Sequence, residues 1–245
     1  MGKFARIRMT LGMWLARPVG IEARKVYWQR LASGFVERYL SGAHILDIGY
    51  RGGRAQAVPI VPQAIGVDLD YPGYDGTTLP FADLSQDALF VSHCLEHIQD
   101  YRASLADWYR VLKIGGYLLI FVPHKYLYER RAAPPSARNP DHKRFYTPAS
   151  LLAEIEQSLP VNGFRVRHLA DNDQAYEYEH PIERHPRGCY EIELVVQKIA
   201  RPSYSDRLEF AAGTSKDSER SSVAADHAAR AEASQPVARG QPAEG

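Results

Sequence analysis

The residues able to carry chemistry cluster at a few points along the chain. Asp47 stands within the apolar run Ile45-Leu46-Asp47-Ile48, and Gly49-Tyr50-Arg51-Gly52-Gly53 follows. A carboxylate and a glycine turn after a strand buried on both faces describe the carboxyl edge of a parallel sheet, where open α/β folds bind nucleotides. Glycine there lets a ligand reach the main chain. An ordinary strand-turn with a capped Asp is the alternative. Asp68 ends a second run, Ala64-Ile65-Gly66-Val67, and Asp70 is its rival. An acid at that place accepts hydrogen bonds from ribose hydroxyls in Rossmann-type folds. Asp75 precedes Leu79-Pro80-Phe81 and reads either as a ligand acceptor or as an Asx-turn. His93, His97, His124 and His142 could move a proton near neutral pH. His97 reads as a structural hydrogen-bonding residue, and a non-catalytic role is the alternative for each of the others. No His/Cys/Asp/Glu spacing argues for a dedicated metal site.

Two stretches carry a family resemblance. The order Asp47, Gly49, Arg51, Gly53 is similar to the first motif of class I S-adenosylmethionine (SAM) methyltransferases, with Arg51 replacing the middle glycine. Leu95-Glu96-His97, Asp100 and Arg110-Val111-Leu112-Lys113-Ile114-Gly115-Gly116 resemble the type-11 group of that class, with Ile114 in place of proline. The resemblance covers roughly residues 40–125 closely and 140–200 more loosely. It implies SAM as cofactor, held by Asp47, Gly49, Tyr50, Gly53, Asp68, Leu69, Asp75, Ser92 and His93. His93, His124 and His142 are the candidate catalytic residues: His93 should border the methionine end of SAM, His124 should face the acceptor pocket, and His142 sits in the roof. The implied activity is methyl transfer, with a SAM-fold binding module that has lost catalysis as the alternative. Asp47 ahead of the glycine turn argues against a nicotinamide oxidoreductase. Acceptors across the group include sugars, lipids, quinones and small metabolites, so the resemblance does not choose among them.

These residues need a frame. The expected fold class is α/β: a Rossmann-like sheet of seven strands, mostly parallel with an antiparallel edge strand, and with shortened helices after strands 1 and 2. Pro59 and Pro62 interrupt any helix after the glycine turn, and residues 71–80 are rich in turn formers. A single helix is expected over 21–40, with Trp28, Leu31, Phe35 and Tyr39 on its buried face. Asp100 caps a helix lined by Leu105, Trp108, Tyr109 and Leu112, and Thr147-Pro148 starts another. Strands are expected over Asp87–Ser92, Tyr117–Val122, Phe164–His168 and Tyr190–Lys198. In the last, Glu191, Glu193 and Gln197 alternate with Ile192, Leu194 and Val196, giving one polar face.

The domain reading is 1–20 as a basic amphipathic segment, 21–200 as the methyltransferase domain with 124–146 as a basic roof over the SAM site, and 201–245 as a disordered tail. The N-terminal segment suits weak contact with an anionic membrane surface, or packing on the domain. In the roof, Tyr126, Arg138 and Arg144 are candidate acceptor contacts. Arginine forks suit phosphate, so an anionic small-molecule or glycan acceptor is expected, with a solvated basic loop as the alternative. The resemblance of Asp141–Ser150 to type-11 enzymes of polysaccharide assembly implies an acceptor related to the cell envelope. The chain has 245 residues and a formal net charge of +1, which gives no global pull toward nucleic acid. Its two cysteines, Cys94 and Cys189, are far apart and suit a cytoplasmic location. No apolar run is long enough to span a bilayer.

Overall fold

In this computed structural model, residues 18–51, 55–205 and 207 are described. The N-terminal segment before Pro18, the turn residues Gly52, Gly53 and Arg54, and the tail beyond Arg207 lie outside them. Two compact units divide the chain, Met1–Ala200 and Arg201–Gly245. In the second, the N–H of Ser205 donates to the carbonyl of Pro202.

The first unit is built on one sheet. Its strands are β1 (Ile45–Ile48), β2 (Ala64–Val67), β3 (Gln86–Ser92), β4 (Leu112–Pro123), β5 (Phe164–Asn172) and β6 (Glu191–Lys198), in the order β2-β1-β3-β4-β6-β5. The β1–β2, β1–β3 and β3–β4 pairs are parallel, and β6 runs antiparallel to both β4 and β5. Alternation along each strand divides the core into two layers. Leu46, Ile48, Leu89, Val91, Leu118 and Ile120 face α3 (Tyr101–Val111) and α4 (Pro148–Ser158), where Trp108 and Leu151 are fully buried. Ile45, Ala88, Phe90, Leu119 and Phe121 face α1 (Ile21–Ala32) and α2 (Phe35–Tyr39). Emptying the Trp108 site would cost about 3–5 kcal/mol.

The fold class is α/β and Rossmann-like, as expected, with three local corrections. Among the described residues the sheet has six strands, not seven. Residues 69–85 form no strand because turns follow one another there: Tyr71 N–H donates to Asp68, Tyr74 N–H to Tyr71, and Thr77 and Thr78 N–H to the Asp75 carboxylate. Every backbone group used that way is lost to a ladder. The helix expected over 21–40 is two helices, broken at Ser33–Gly34, where Gly34 has a φ of +75°. The buried face of α1 is Ala23, Val26, Tyr27 and Arg30, which leaves Trp28 exposed. In β6, Glu191 and Glu193 are buried rather than solvated, because Arg30 of α1 lies against them.

Two termini prepare the site. Asp100 caps α3 by accepting the N–H of Ala103 at 3.2 Å. Thr147 caps α4 by accepting the N–H of Ser150, while Ser150 Oγ accepts that of Thr147.

Candidate functional site

The carboxyl ends of β1, β2 and β3 open into a cleft of about 780 Å³. Gly49, Asp68, Leu69, Asp75 and His93 line it, together with Glu22, Glu96, His97, Asn139 and His142. That volume lies inside the range of about 300–1,000 Å³ common for small-molecule sites. Gly49 sits where β1 leaves the sheet, with a φ of +70°, and its N–H donates to Val67 of β2 at 2.8 Å. A Cβ there would stand 3.0 Å from Cys94 Cβ, so only glycine leaves this main chain bare toward a ligand. Asp68 lies in the wall, accepting the N–H of Leu69, whereas its rival Asp70 pairs with Arg51 at 2.7 Å and does not line the cleft. Leu69 is 74% exposed there, an apolar surface beside two carboxylates. Asp75 lines the cleft and also forms the Asx-turn, whose two N–H donors hold its carboxyl below the usual range.

Asp47, Tyr50 and Ser92 lie elsewhere. They share a small cavity of about 20 Å³ with Gly49 and His93. Asp47 is buried and accepts the N–H of Ile60 at 2.6 Å, and burial pushes its carboxyl up to about 8 despite that bond. The Tyr50 ring packs over Gly66, where a Cβ would approach within 2.7 Å of it. Gly53 is outside the described residues.

The histidines divide by environment. His93 has a φ of +50° and is held by carboxylates: Nε2 lies 3.0 Å from Glu191, and Nδ1 lies 3.6 Å from Glu96. Burial alone would lower its pKa, but the bond to Glu191 and the fields of Glu191, Glu22 and Glu96 raise it above the usual value. A raised pKa favours the protonated ring and makes it a weaker base. Its neighbours form a buried network: Glu191 accepts from Arg30 at 2.6 Å, and Arg30 also reaches Glu193 at 2.9 Å. Despite burial, Arg30 and His93 bring Glu191 down to about 2. His97 points the other way: burial lowers its pKa against the pull of Glu96. His142 is buried, with Nδ1 hydrogen-bonded to Glu129. His124 does not line the cleft; its Nδ1 accepts the N–H of Tyr126 at 3.1 Å.

The candidate acceptor contacts are likewise dispersed. Arg138 donates to the carbonyls of Tyr128 at 2.8 Å and Ile182 at 2.7 Å. Arg144 donates to those of Leu95 at 2.8 Å and Ile98 at 2.5 Å. Both guanidinium groups therefore tie loops together. Tyr126 lines a separate, open depression of about 650 Å³ with Lys125 and Arg131. From the roof segment, Tyr128, Asn139 and His142 reach the cleft. Glu22 was not legible in the sequence as a site residue, since α1 carries it to the cleft only through the fold. Glu96 stood in the Leu-Glu-His motif, whose pattern was a usable signal for it.

Residues 46–120 match the family model described as a methyltransferase domain. The match covers under a third of the chain and is to the type-11 group of methyltransferase domains. Two demethylmenaquinone methyltransferases are similar to the chain. That of Corynebacterium efficiens is 45% identical over 60 residues, 24% of this chain and 23% of the relative. That of Streptomyces griseus is 38% identical over 87 residues, 30% of this chain and 38% of the relative. The matches therefore span well under half the length of these relatives. A SAM-dependent methyltransferase from Aquifex aeolicus is 14% identical with a TM-score of 0.44, covering 70% of this chain and 89% of that one. The matched methyltransferase domain contains the ends of β1, β2 and β3 that border the cleft.

Proposed function

We propose that this chain is a SAM-dependent methyltransferase acting on a small-molecule acceptor. One observation carries the reading: in a single cleft, the bare main chain of Gly49 and the carboxylate of Asp68 meet the polar cluster Glu96, His97 and His142. The first pair would hold the cofactor and the second would face the acceptor. Asp68 suits ribose hydroxyls and Asp75 an adenine amino group, with Leu69 giving the ring an apolar surface. The main chain at Gly49 would take the methionine end, with Asp47, Tyr50 and Ser92 supporting it from the adjoining small cavity. When bound, SAM supplies a methyl group on a sulfonium, ready for in-line displacement. The acidic lining from Glu22, Asp68, Asp75 and Glu96 suits a cationic cofactor. His93 serves as a fixed positive charge beside the turn, and His142 lies on the acceptor side.

The acceptor class follows from the same cluster, which suits a hydroxyl or similar oxygen better than an anion. An anionic, envelope-related glycan keeps only Lys125, Tyr126 and Arg131 as support, in the separate depression, because Arg138 and Arg144 are engaged elsewhere. The demethylmenaquinone methyltransferases match over too little of their length for their acceptor to be carried across.

Calorimetry with SAM and with NAD, followed by mass spectrometry of a cell extract incubated with protein and SAM, tests the reading. SAM should bind and NAD should not, Asp68→Ala should weaken SAM at least about tenfold, or ~1.4 kcal/mol, and one metabolite should gain a methyl group. SAM binding with no methylated product in any extract would favour a binding module. No SAM binding would end the proposal.

A further inference from the structure

Glu96, on the turn that follows β3, is fully buried, and neither of its carboxylate oxygens has a hydrogen-bond partner. A buried carboxylate in that state is costly unless something satisfies it. His93 stands with Nδ1 3.6 Å from Oε1, beyond hydrogen-bonding distance. Two other imidazoles converge on the same oxygen. His97 Nε2 and His142 Nε2 each lie 3.9 Å from Glu96 Oε1, and the three donor atoms fall within 4.8 Å of one another. Metal ions bound by nitrogen and oxygen at roughly 2.0–2.2 Å hold neighbouring donors about 3–3.5 Å apart. The observed spacing needs only a small inward rotation of two rings and one carboxyl.

The outer partners are in place as well. His142 Nδ1 is hydrogen-bonded to the buried Glu129, which leaves Nε2 as the available ligand atom, 3.9 Å from Glu96 Oε1. A carboxylate behind a histidine in this way fixes the ring and raises its basicity as a ligand. The main chain is also held: Lys143 N–H donates to the Glu96 carbonyl at 2.8 Å, which brings His142 over the turn.

We propose that Glu96, His97 and His142 bind one divalent first-row transition-metal ion in the wall of the cleft, leaving coordination positions open to an oxygen of the acceptor. Two imidazoles and one carboxylate suit zinc, iron, cobalt or manganese better than magnesium or calcium. That the open positions face the acceptor rests on the methyltransferase reading, whereas metal binding itself can be read without turnover.

The test uses the full chain without an affinity tag, stripped by a chelator and titrated with Zn²⁺ by calorimetry and with Co²⁺ by visible absorption. One ion per chain is expected, with cobalt absorption bands of a protein-ligated site. His97→Ala, at a partly exposed position, and Glu96→Gln should each weaken zinc at least about a hundredfold. Glu129→Gln should weaken it about 10–100-fold. Absence of binding to the parent chain overturns the proposal. So does binding that His97→Ala and Glu96→Gln leave unaltered, which would place the ion elsewhere.

Discussion

The guanidinium of Arg144 spans the turn that carries Glu96 and His97, donating to the carbonyl of Leu95 on one side and to that of Ile98 on the other. Its Nε reaches the Tyr146 hydroxyl at 3.0 Å, and its Cζ lies 4.3 Å from the centre of the Tyr101 ring. One side chain thus joins the roof segment, the Leu-Glu-His turn and the start of α3. The basic residue that read as an acceptor contact clamps the turn that carries Glu96 and His97.

Arg144→Ala should therefore lower stability by roughly 2–4 kcal/mol, since charge-assisted hydrogen bonds are lost and two carbonyls are left unmet. Arg131→Ala is the control, because Arg131 is exposed and donates to a single carbonyl, that of Pro135. It should stay within about 0.5 kcal/mol. Urea denaturation of both variants checks the contrast, and equal effects would refute the clamp.

Arg30 stands between Glu191 and Glu193, and its guanidinium lies 3.8 Å from the Phe121 ring. Removing it leaves two buried carboxylates without their main cation. Arg30→Ala should cost about 3–5 kcal/mol in chemical denaturation. Because His93 draws on Glu191, the same variant should also change the histidine's titration, readable by NMR.

Asp47 makes a prediction with a sign. Its folded-state pKa is about 8, above that of an unfolded chain, because burial penalises the carboxylate. Between roughly pH 4 and 8 the folded state therefore binds more protons than the unfolded state, and stability falls as pH rises, by at most about 1.4 kcal/mol per pH unit. Asp47→Asn keeps an acceptor for the Ile60 N–H and has no charge to bury. In the cofactor-free protein, its melting temperature relative to the parent should climb from pH 4 to pH 8 and then level off. A difference that does not vary with pH would show that Asp47 is ionised in the fold.

Much of the frame was legible in the chain itself. The apolar runs of β1 and β3 and the caps at Asp100 and Thr147 are local signals, and those elements formed where periodicity or capping chemistry placed them, whereas β4 begins at Leu112, which periodicity had given to the preceding helix. The pattern from Leu95 to Gly116 was enough to point to a methyltransferase domain. What the local pattern misread was set by contacts distant in sequence. Glu191 and Glu193 alternate as a solvated face would, yet they are buried because Arg30, some 160 residues earlier, supplies their charge. Arg138 and Arg144 read as free cations because a main-chain carbonyl that recruits a guanidinium leaves no trace in composition. Glu96 and His97 are adjacent in sequence, but His142 joins them only when the roof folds back and Lys143 bonds to Glu96. Spacing along a chain can reveal a cluster only when one element carries it. This one is assembled from two segments, so the convergence of its donor atoms was decided by tertiary structure alone.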